Sequence, residues 1–441
     1  MSAGYPTRSE IPPDTRPIAL FLAGIRRGAL LVFLPVFVAG QAIAWLTYAV
    51  SGWYRPWSWF KIGVAEALAS VRVGFVATWL RLGAKTPVPL PPMSAALELA
   101  VGALLIAVCV LAFRAGRDQA RGLDSRPLAA AWAGSLPGAG FAIPMALVAI
   151  PVTLGFPQFG IDHLEPVLWQ AFVLPLVVGG ACGAVGGLAA ARAAVDEREP
   201  WGPRLAAAAH SGFTALWWAL ALAFAGFLVV AALQPGPTGA YARFVDRTGG
   251  SGAALVVQHA LLLPNQSSMI LDTAMGVPTT VGVGDTTVAR VSITGVDAIG
   301  TEGAALAGLA GARSTQADFP AWYWAFVLVP AAATIVGGRT AGSAARGRRE
   351  AAARGALAGL VYAVLCTIAA WFAAIVLPLF AATIGGSVRL GTDPARTGLF
   401  ALAWGVLGCT IGSLSLGSGR RKAKRKEGGH PMDVVRSGAE T

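Results

Sequence analysis

The sequence contains few charged residues. Of its 441 residues, 13% are charged and 55% are hydrophobic, and the mean hydropathy is +0.63. A soluble globular domain carries roughly 25% charged residues, so this composition excludes an ordinary soluble enzyme or binding domain. Several apolar runs approach or exceed the ~20 residues needed to cross the hydrocarbon core of a bilayer. The chain is therefore predicted to be an all-α polytopic membrane protein.

Cysteine and histidine are scarce, and the common catalytic motifs are missing. The four cysteines all fall inside apolar runs, without CxxC spacing or a nearby histidine. A zinc site or a redox pair is therefore not expected, and each thiol is interpreted as a small buried hydrophobe. The motifs HExxH, GxSxG and the Walker loop do not occur. We accordingly predict no catalytic residue, no metal and no cofactor, and we do not expect an enzyme.

Basic residues outnumber acidic ones, which gives the chain a formal charge of +12. They form short clusters at the ends of apolar runs and no broad basic domain, so nucleic acid is not an expected partner. That distribution is typical of membrane topology, and the positive-inside rule then predicts eight spans with both termini cytoplasmic. The predicted spans are 28–50, 93–113, 127–155, 167–191, 208–233, 320–337, 355–381 and 397–416.

The predicted domain organisation follows from these spans. Residues 1–27 form a cytoplasmic N-terminal segment, 28–416 the transmembrane helical domain, and 417–441 a basic cytoplasmic tail. Cations that directly follow a span are attracted to anionic lipid, although the alternative is that they only fix the orientation of the chain. The candidate contacts with lipid headgroups are Arg420, Arg421, Lys422, Lys424, Arg425 and Lys426.

Two segments between the spans are predicted to lie on the outer side. Residues 51–92 begin with clustered aromatic side chains, typical of the headgroup level, and continue with an interfacial helix at 60–82. Residues 234–319 form an outer or re-entrant elaboration, in which the Val/Thr/Gly-rich stretch 277–296 predicts a hairpin. No internal repeat is evident in the sequence.

The most informative stretch is 252–300, an apolar run interrupted by polar residues. Pro264 predicts a helix that kinks or stops, and a broken polar helix between cleaner spans is typical of a re-entrant segment. The alternative is a second crossing through the apolar piece 303–313. Because that piece is far shorter than the ~17 residues of a span, the sequence favours a re-entrant segment at 252–275.

Polar residues in the interrupted stretch form a candidate intramembrane site. Ionisable groups at membrane depth are candidates for a proton or solute path. The structural alternative is that Asn265 and Gln266 satisfy backbone groups that Pro264 frees. The candidate residues are His259, Asn265, Gln266 and Asp272.

Glycines recur at four-residue spacing in several predicted spans. Small residues at this spacing let helix backbones approach closely in lipid, where the hydrophobic effect does not drive association. Pairs with this spacing occur at Gly134 and Gly138, Gly355 and Gly359, and Gly408 and Gly412. The predicted packing residues are the three glycines of the fourth span, Gly179, Gly183 and Gly187.

Three stretches carry a resemblance to a known family. They are the Leu-Leu-Pro-Asn sequence at 262–265, the Gly-rich stretch at 281–284 followed by Val-Ser-Ile-Thr-Gly at 291–295, and Phe-Arg-Ala-Gly-Arg at 113–117. Together they resemble the actinobacterial family of multi-spanning membrane proteins that includes the cell-division membrane protein PerM. The resemblance implies a non-enzymatic inner-membrane protein that acts through protein partners of the division or envelope machinery. The residues alone point as readily to a permease or channel for a small solute or ion.

Overall fold

The computed structural model is predominantly helical. Among the residues that it describes, seven helices are long and apolar enough to cross a membrane. The prediction of a multi-pass helical membrane protein is confirmed at this level. The described residues are 16–51, 56–79, 94–121, 127–156, 161–192, 201–233, 252–283, 286–301, 316–343, 345, 347–378 and 387–427.

The helices are built largely from Ala, Leu, Val and Gly, which can face lipid or pack closely against each other. A π-helical stretch, Ala29–Phe33, joins the first two helices, and a 3-10 helix, Ala321–Val327, leads into the ninth. The helices are α1 (Arg16–Gly28), α2 (Leu34–Ser51), α3 (Pro56–Ala69), α4 (Gly102–Ala120), α5 (Pro127–Ala149), α6 (Leu168–Arg192), α7 (Trp201–Leu233), α8 (Gly252–Ala274), α9 (Leu328–Gly342), α10 (Arg348–Ala373) and α11 (Pro394–Glu427).

The described residues contain ten short strands in two antiparallel sheets, which the all-α prediction omitted apart from the hairpin at 277–296. That hairpin is present as strands β5 and β6. Three of the other strands, at 75–79, 154–156 and 375–378, continue an apolar run from the preceding helix, so hydropathy alone does not separate them from a span. The strands are β1 (Phe75–Trp79), β2 (Ser94–Leu97), β3 (Leu154–Phe156), β4 (Ile161–Pro166), β5 (Thr279–Val283), β6 (Thr286–Val291), β7 (Gly295–Ala298), β8 (Gln316–Asp318), β9 (Ile375–Pro378) and β10 (Ser387–Gly391).

Several predicted helix boundaries differ from the structure. The predicted span 93–113 includes strand β2, and helix α4 begins only at Gly102. The first helix begins at Arg16, inside the segment 1–27 that was predicted to precede the first span. The predicted interfacial helix 60–82 ends at Ala69, because the chain turns at Arg72, whose φ of 61° lies in the left-handed region.

The predicted break at Pro264 is wrong. Helix α8 continues through this residue from Gly252 to Ala274. A proline removes one backbone hydrogen bond, but a membrane helix tolerates this loss when neighbouring helices and side chains satisfy the freed groups. Residues 234–251 and 302–315, including the apolar piece 303–313, lie outside the described residues.

The same order of elements occurs twice along the chain, which the sequence did not reveal. The first repeat, residues 16–192, consists of the α1–α2 helix, α3, β1, β2, α4, α5, β3, β4 and α6. The second repeat, residues 201–427, consists of α7, α8, β5, β6, α9, α10, β9, β10 and α11. Strands β7 and β8 are an addition to the second repeat.

The two sheets have equivalent strand orders. The first sheet is ordered β2-β1-β4-β3, and the second is ordered β8-β7-β6-β5-β10-β9, so its last four strands correspond to the first sheet. The registers agree as well: Val76 of β1 lies opposite Glu165 of β4, and Thr280 of β5 lies opposite Gly391 of β10. The repeats therefore correspond residue by residue at these strands.

Helices α3 and α8 end in the same way. The amide of Val73 donates to the carbonyl of Leu68, and the amide of Val277 donates to that of Asp272. The residue before each valine, Arg72 or Gly276, has a positive φ of 61° or 100°. This is the left-handed helix termination that glycine favours, and it makes Leu68 and Asp272 equivalent positions.

Close glycine contacts hold the last three helices of each repeat together. A side chain at Gly116 of α4 or at Gly134 of α5 would collide with the backbone of Gly183 in α6. The predicted packing glycines of α6 thus lie against neighbouring backbones, with Gly187 against Ala130 and Gly179 against Gly138 and Phe141. The equivalent contacts of the second repeat involve Gly338, Gly355 and Cys409.

Both sheets lie at one end of the helices, and the basic clusters lie at the other. Helices α5 and α10 run toward the sheets, whereas α4, α6, α9 and α11 run away from them. The ends far from the sheets carry most of the predicted cytoplasmic arginines. There, Arg27 of α1 donates to the backbone carbonyl of Asp118 and to the side-chain oxygen of Gln119. The molecule is therefore polarised along the helix axes.

Candidate functional site in helix α8

Helix α8 carries the polar residues that the sequence singled out, and it packs between the two repeats. Asn265 and Asp272 are two helical turns apart and share one face of the helix; both are buried, with exposed fractions of 4% and 1%. The helix runs antiparallel to α10, because Asn265 lies at Phe372 near the end of α10, whereas Met275 lies at Tyr362 near its middle. At 1.5 Å per residue, the two contacts are about 15 Å apart along α10.

Asn265 joins three backbone groups from both repeats. Its Oδ1 accepts from the amide of Gly102 at 3.0 Å. Its Nδ2 donates to the carbonyls of Ala100 and Phe372 at 2.9 and 3.3 Å. Gly102 begins α4 and Phe372 lies in the last turn of α10, where helices leave amides and carbonyls without intrahelical partners. Asn265 of α8 therefore caps one helix of each repeat: α4 in the first and α10 in the second.

Asp272 has a different environment. Its Oδ2 accepts from the hydroxyl of Thr392 at 2.5 Å, whereas its Oδ1 is buried without a hydrogen-bond partner in the described part of the chain. Tyr362 and Cys366 of α10 lie near Asp272 in the same core. Tyr362 is fully buried, and its hydroxyl donates to the sulfur of Met275 at 3.7 Å. The carboxyl group thus lies in a small polar cluster inside an apolar core.

Of the four predicted residues, Asn265 and Asp272 have separate environments. Asn265 lies between the repeats, whereas Asp272 lies inside the second repeat. Gln266 is half-buried and has interaction partners of its own. His259 belongs to α8, but its side chain lies outside the described residues.

A second contact between the repeats was missed by sequence reasoning. The guanidinium of Arg72 donates to the carbonyl of Trp371, stacks 4.6 Å from the centre of its ring, and pairs with Glu98 at 3.3 Å. Glu98 and Val376 also exchange backbone hydrogen bonds of 2.8 and 2.7 Å, which join the edges of the two sheets at β2 and β9. Burial lowers the pKa of Arg72, and the Glu98 carboxylate partly opposes this effect. In the sequence, the only available signal for this contact was an arginine beside an apolar run.

The remaining predicted groups are placed as follows. Helix α11 extends through the basic stretch 420–426, whose side chains lie outside the described residues. Among the side chains that the structure describes, no group of three or more His, Cys, Asp or Glu residues could hold a metal ion. The thiols of Cys366 and Cys409 are buried, and those of Cys109 and Cys182 are half-buried.

The fold defines the chain as an integral, multi-pass helical membrane protein made of two structural repeats. At the junction of the repeats, Asn265 satisfies backbone atoms, whereas Asp272, inside the second repeat, keeps one oxygen without a partner in the described part of the chain. Comparison of the chain with protein-family models, with curated proteins and with solved structures gives no match.

Proposed function

We propose that the protein is a non-enzymatic component of the bacterial cell membrane, with its sheets outside and both termini in the cytoplasm. The support is the separation of charge along the molecule. The helix ends opposite the sheets carry Arg117, Arg192, Arg339 and Arg348, as well as the basic tail. Cytoplasmic segments are enriched in Lys and Arg, so these ends are assigned to the cytoplasm. The basic tail is then positioned to contact anionic lipid headgroups of the inner leaflet.

In this orientation helix α8 is a re-entrant segment that enters from the sheet side. Its support is the depth of the contacts: the end of α8 reaches Tyr362 in the middle of α10, and Trp404 of α11 donates to the carbonyl of Met275 at 3.2 Å. The chain then turns at Gly276 and returns to the sheet as β5. Among the described helices, eight crossings then result: the seven apolar helices counted above, with α1 and α2 as one, and α4. Helices α3 and α8 do not cross.

The role that we propose is structural or regulatory, in division or in envelope integrity, through protein partners. The resemblance to the family that includes PerM supports this role. The use of Asn265 supports it as well, because three of the four hydrogen bonds that an amide can make are used to join the repeats. This side chain is therefore not available to coordinate a solute.

The observation that carries the proposal is an edge strand. In the second repeat, Val376 of β9 turns its amide and carbonyl away from β10 and pairs with Glu98. Leu154 of β3 lies opposite Leu164, as Ile375 of β9 lies opposite Leu390. Gly155 therefore takes the place of Val376, although the register of β3 with β4 shifts between Leu154 and Phe156.

Gly155 is exposed, and β3 is the edge of the first sheet within the described residues. An edge strand can bind an extended peptide by strand addition. We assign this edge to an extended segment of a protein partner, because the equivalent edge of the second repeat already pairs with Glu98, next to β2, through two backbone hydrogen bonds.

A proline substitution tests this role. Gly155→Pro removes the backbone amide donor of this edge residue, whereas the matched variant Gly155→Ala keeps the donor. In a deletion strain with a division or envelope defect, Gly155→Ala should restore growth and cell length. Gly155→Pro should fail to restore them at an equal amount of protein in the membrane. Full complementation by Gly155→Pro would contradict strand addition at β3.

A permease is the second candidate, and the unpartnered oxygen of Asp272 is the observation that favours it. The test is the flux of a cation into liposomes that contain the purified protein. If the protein is a permease, Asp272→Ala should abolish this flux without changing the expression of the protein. A scaffold requires no flux in the wild type. Flux that depends on Asp272 would replace the scaffold proposal with a transport function.

A further inference from the structure

The second repeat contains a buried polar cluster that the first repeat lacks. The two repeats share their registers, so equivalent residues can be compared directly. Asp272 corresponds to Leu68 through the shared helix termination. Thr392, which follows β10, corresponds to Pro166 at the end of β4, given that Gly391 corresponds to Glu165.

The same comparison extends to helix α10. Gly134 and Gly355 are equivalent packing glycines, and the register of β3 and β9 gives the same alignment of α5 with α10. Tyr362 and Cys366 therefore correspond to Phe141 and Met145, which are fully buried in the core of the first repeat. Four equivalent positions are thus apolar in the first repeat and polar in the second. The fold can be built without the carboxyl group, so packing does not explain it.

The carboxyl group is unfavourable at this position. Asp272 lies in the last turn of α8, where the negative end of the helix dipole opposes a second negative charge. Within the described residues its partners include no basic side chain; the neighbouring polar groups are Tyr362, Cys366 and Thr392. A buried carboxylate without a positively charged partner must be neutralised by a proton or by a cation.

We propose that Asp272 and Thr392 form a binding site for one small monovalent cation, a proton or Na⁺, in the second repeat. The unpartnered Oδ1 supplies the acceptor, and the hydroxyl of Thr392 orients Oδ2. Carboxylate and hydroxyl oxygens are hard ligands of the kind that hard cations prefer. The buried hydroxyl of Thr397, which also lacks a partner within the described residues, lies one turn before Ala401 on the face of α11 that lines the same core. The site rests on neither proposed function, because binding does not require flux or a protein partner.

The test is thermal unfolding of the purified full-length chain in lipid nanodiscs. The melting temperature is measured in NaCl and in choline chloride of equal ionic strength, and at several pH values. The site predicts that the melting temperature rises by several degrees when Na⁺ replaces choline, if Na⁺ is the occupant. If the occupant is a proton, the melting temperature rises as the pH falls, and Na⁺ has no effect, because the folded state then binds a proton that the unfolded state releases.

Two variants and one control make the result specific. Asp272→Leu restores the residue type of the first repeat, and Asp272→Asn removes the charge with little change in shape. Both should abolish the dependence on Na⁺ or pH that the wild type shows. Asp297→Asn, at an exposed position of β7, should leave it unchanged. The proposal is overturned if the wild type and both Asp272 variants respond identically to Na⁺ and to pH.

Discussion

Replacement of Asn265 by leucine should strongly destabilise the contact between the two repeats. Leucine has a similar volume but no polar atoms, so the amide of Gly102 and the carbonyls of Ala100 and Phe372 lose a partner. A buried polar group without a partner costs about 1–3 kcal/mol. Each carbonyl has a second lone pair, so we expect a loss of about 3–6 kcal/mol in the free energy of unfolding rather than the full sum.

That loss is large compared with the ~5–15 kcal/mol that stabilises a typical domain. The assay is the reaction of a thiol-sensitive fluorophore during heating, because Cys366 and Cys409 are buried and react only when the second repeat opens. Asn265→Leu should lower the midpoint by well over 5 °C, given that ~1 kcal/mol shifts the midpoint by roughly 2–4 °C in a protein of more than 150 residues.

Gln266→Leu is the matched control, one residue along the same helix. It removes a similar side-chain amide from a half-buried position. We expect a loss of about 1 kcal/mol, as for one ordinary hydrogen bond. The reasoning would be refuted if Asn265→Leu and Gln266→Leu had the same midpoint.

Two further substitutions test packing and the second contact between the repeats. Gly183→Ala should lower the free energy of unfolding by about 1–3 kcal/mol, because its Cβ would overlap the carbonyl oxygen of Gly134. Gly180→Ala should be tolerated in the same assay, because its Cβ would lie 3.7 Å from the nearest atom; equal losses would contradict the close helix approach. Arg72→Gln should cost about 2 kcal/mol through the lost ion pair and ring contact. Arg72→Gly should recover about 1 kcal/mol of this by relieving the positive φ, and a less stable Arg72→Gly would argue against strain at this turn.

The class of the fold could be predicted from the sequence because lipid imposes a strong constraint on composition. Spans of about 20 apolar residues and clustered arginines follow directly from that constraint. The strands could not be separated from the spans, since β3 and β9 continue the apolar runs of α5 and α10 without a polar break. Hydropathy reports burial or lipid contact, and does not report hydrogen-bond pattern.

The repeat was hidden because its equivalent residues differ in chemistry. Leu68 and Asp272 have no similarity in sequence, although the chain turns identically after both. What persists is the glycine spacing, as in Gly134 with Gly138 and Gly355 with Gly359, because only glycine fits where two backbones meet. These pairs were visible in the sequence, but small residues are too common in membrane helices for the spacing alone to predict a repeat.

The candidate site was predicted in part. Asn265 and Asp272 were identified because polar groups at membrane depth require a partner. Their partners are distant in sequence, and only the folded chain brings them close. These partners are Gly102 and Phe372 for Asn265, and Thr392 for Asp272. Sequence reasoning therefore located the polar residues, and the structure separated a residue that joins the repeats from one that remains without a partner.

The most direct test of the account is the reaction of single cysteines with a membrane-impermeable thiol reagent in intact cells. The positions are Ser251, Thr287 and Gly347, each in a chain whose four native cysteines are replaced, and permeabilised cells provide the control. The account predicts that Ser251 and Thr287 react from outside and that Gly347 reacts only after permeabilisation. Reaction of Ser251 and Thr287 from opposite sides would mean that α8 crosses the membrane. Reaction of Gly347 alone from outside would mean that the sheets face the cytoplasm.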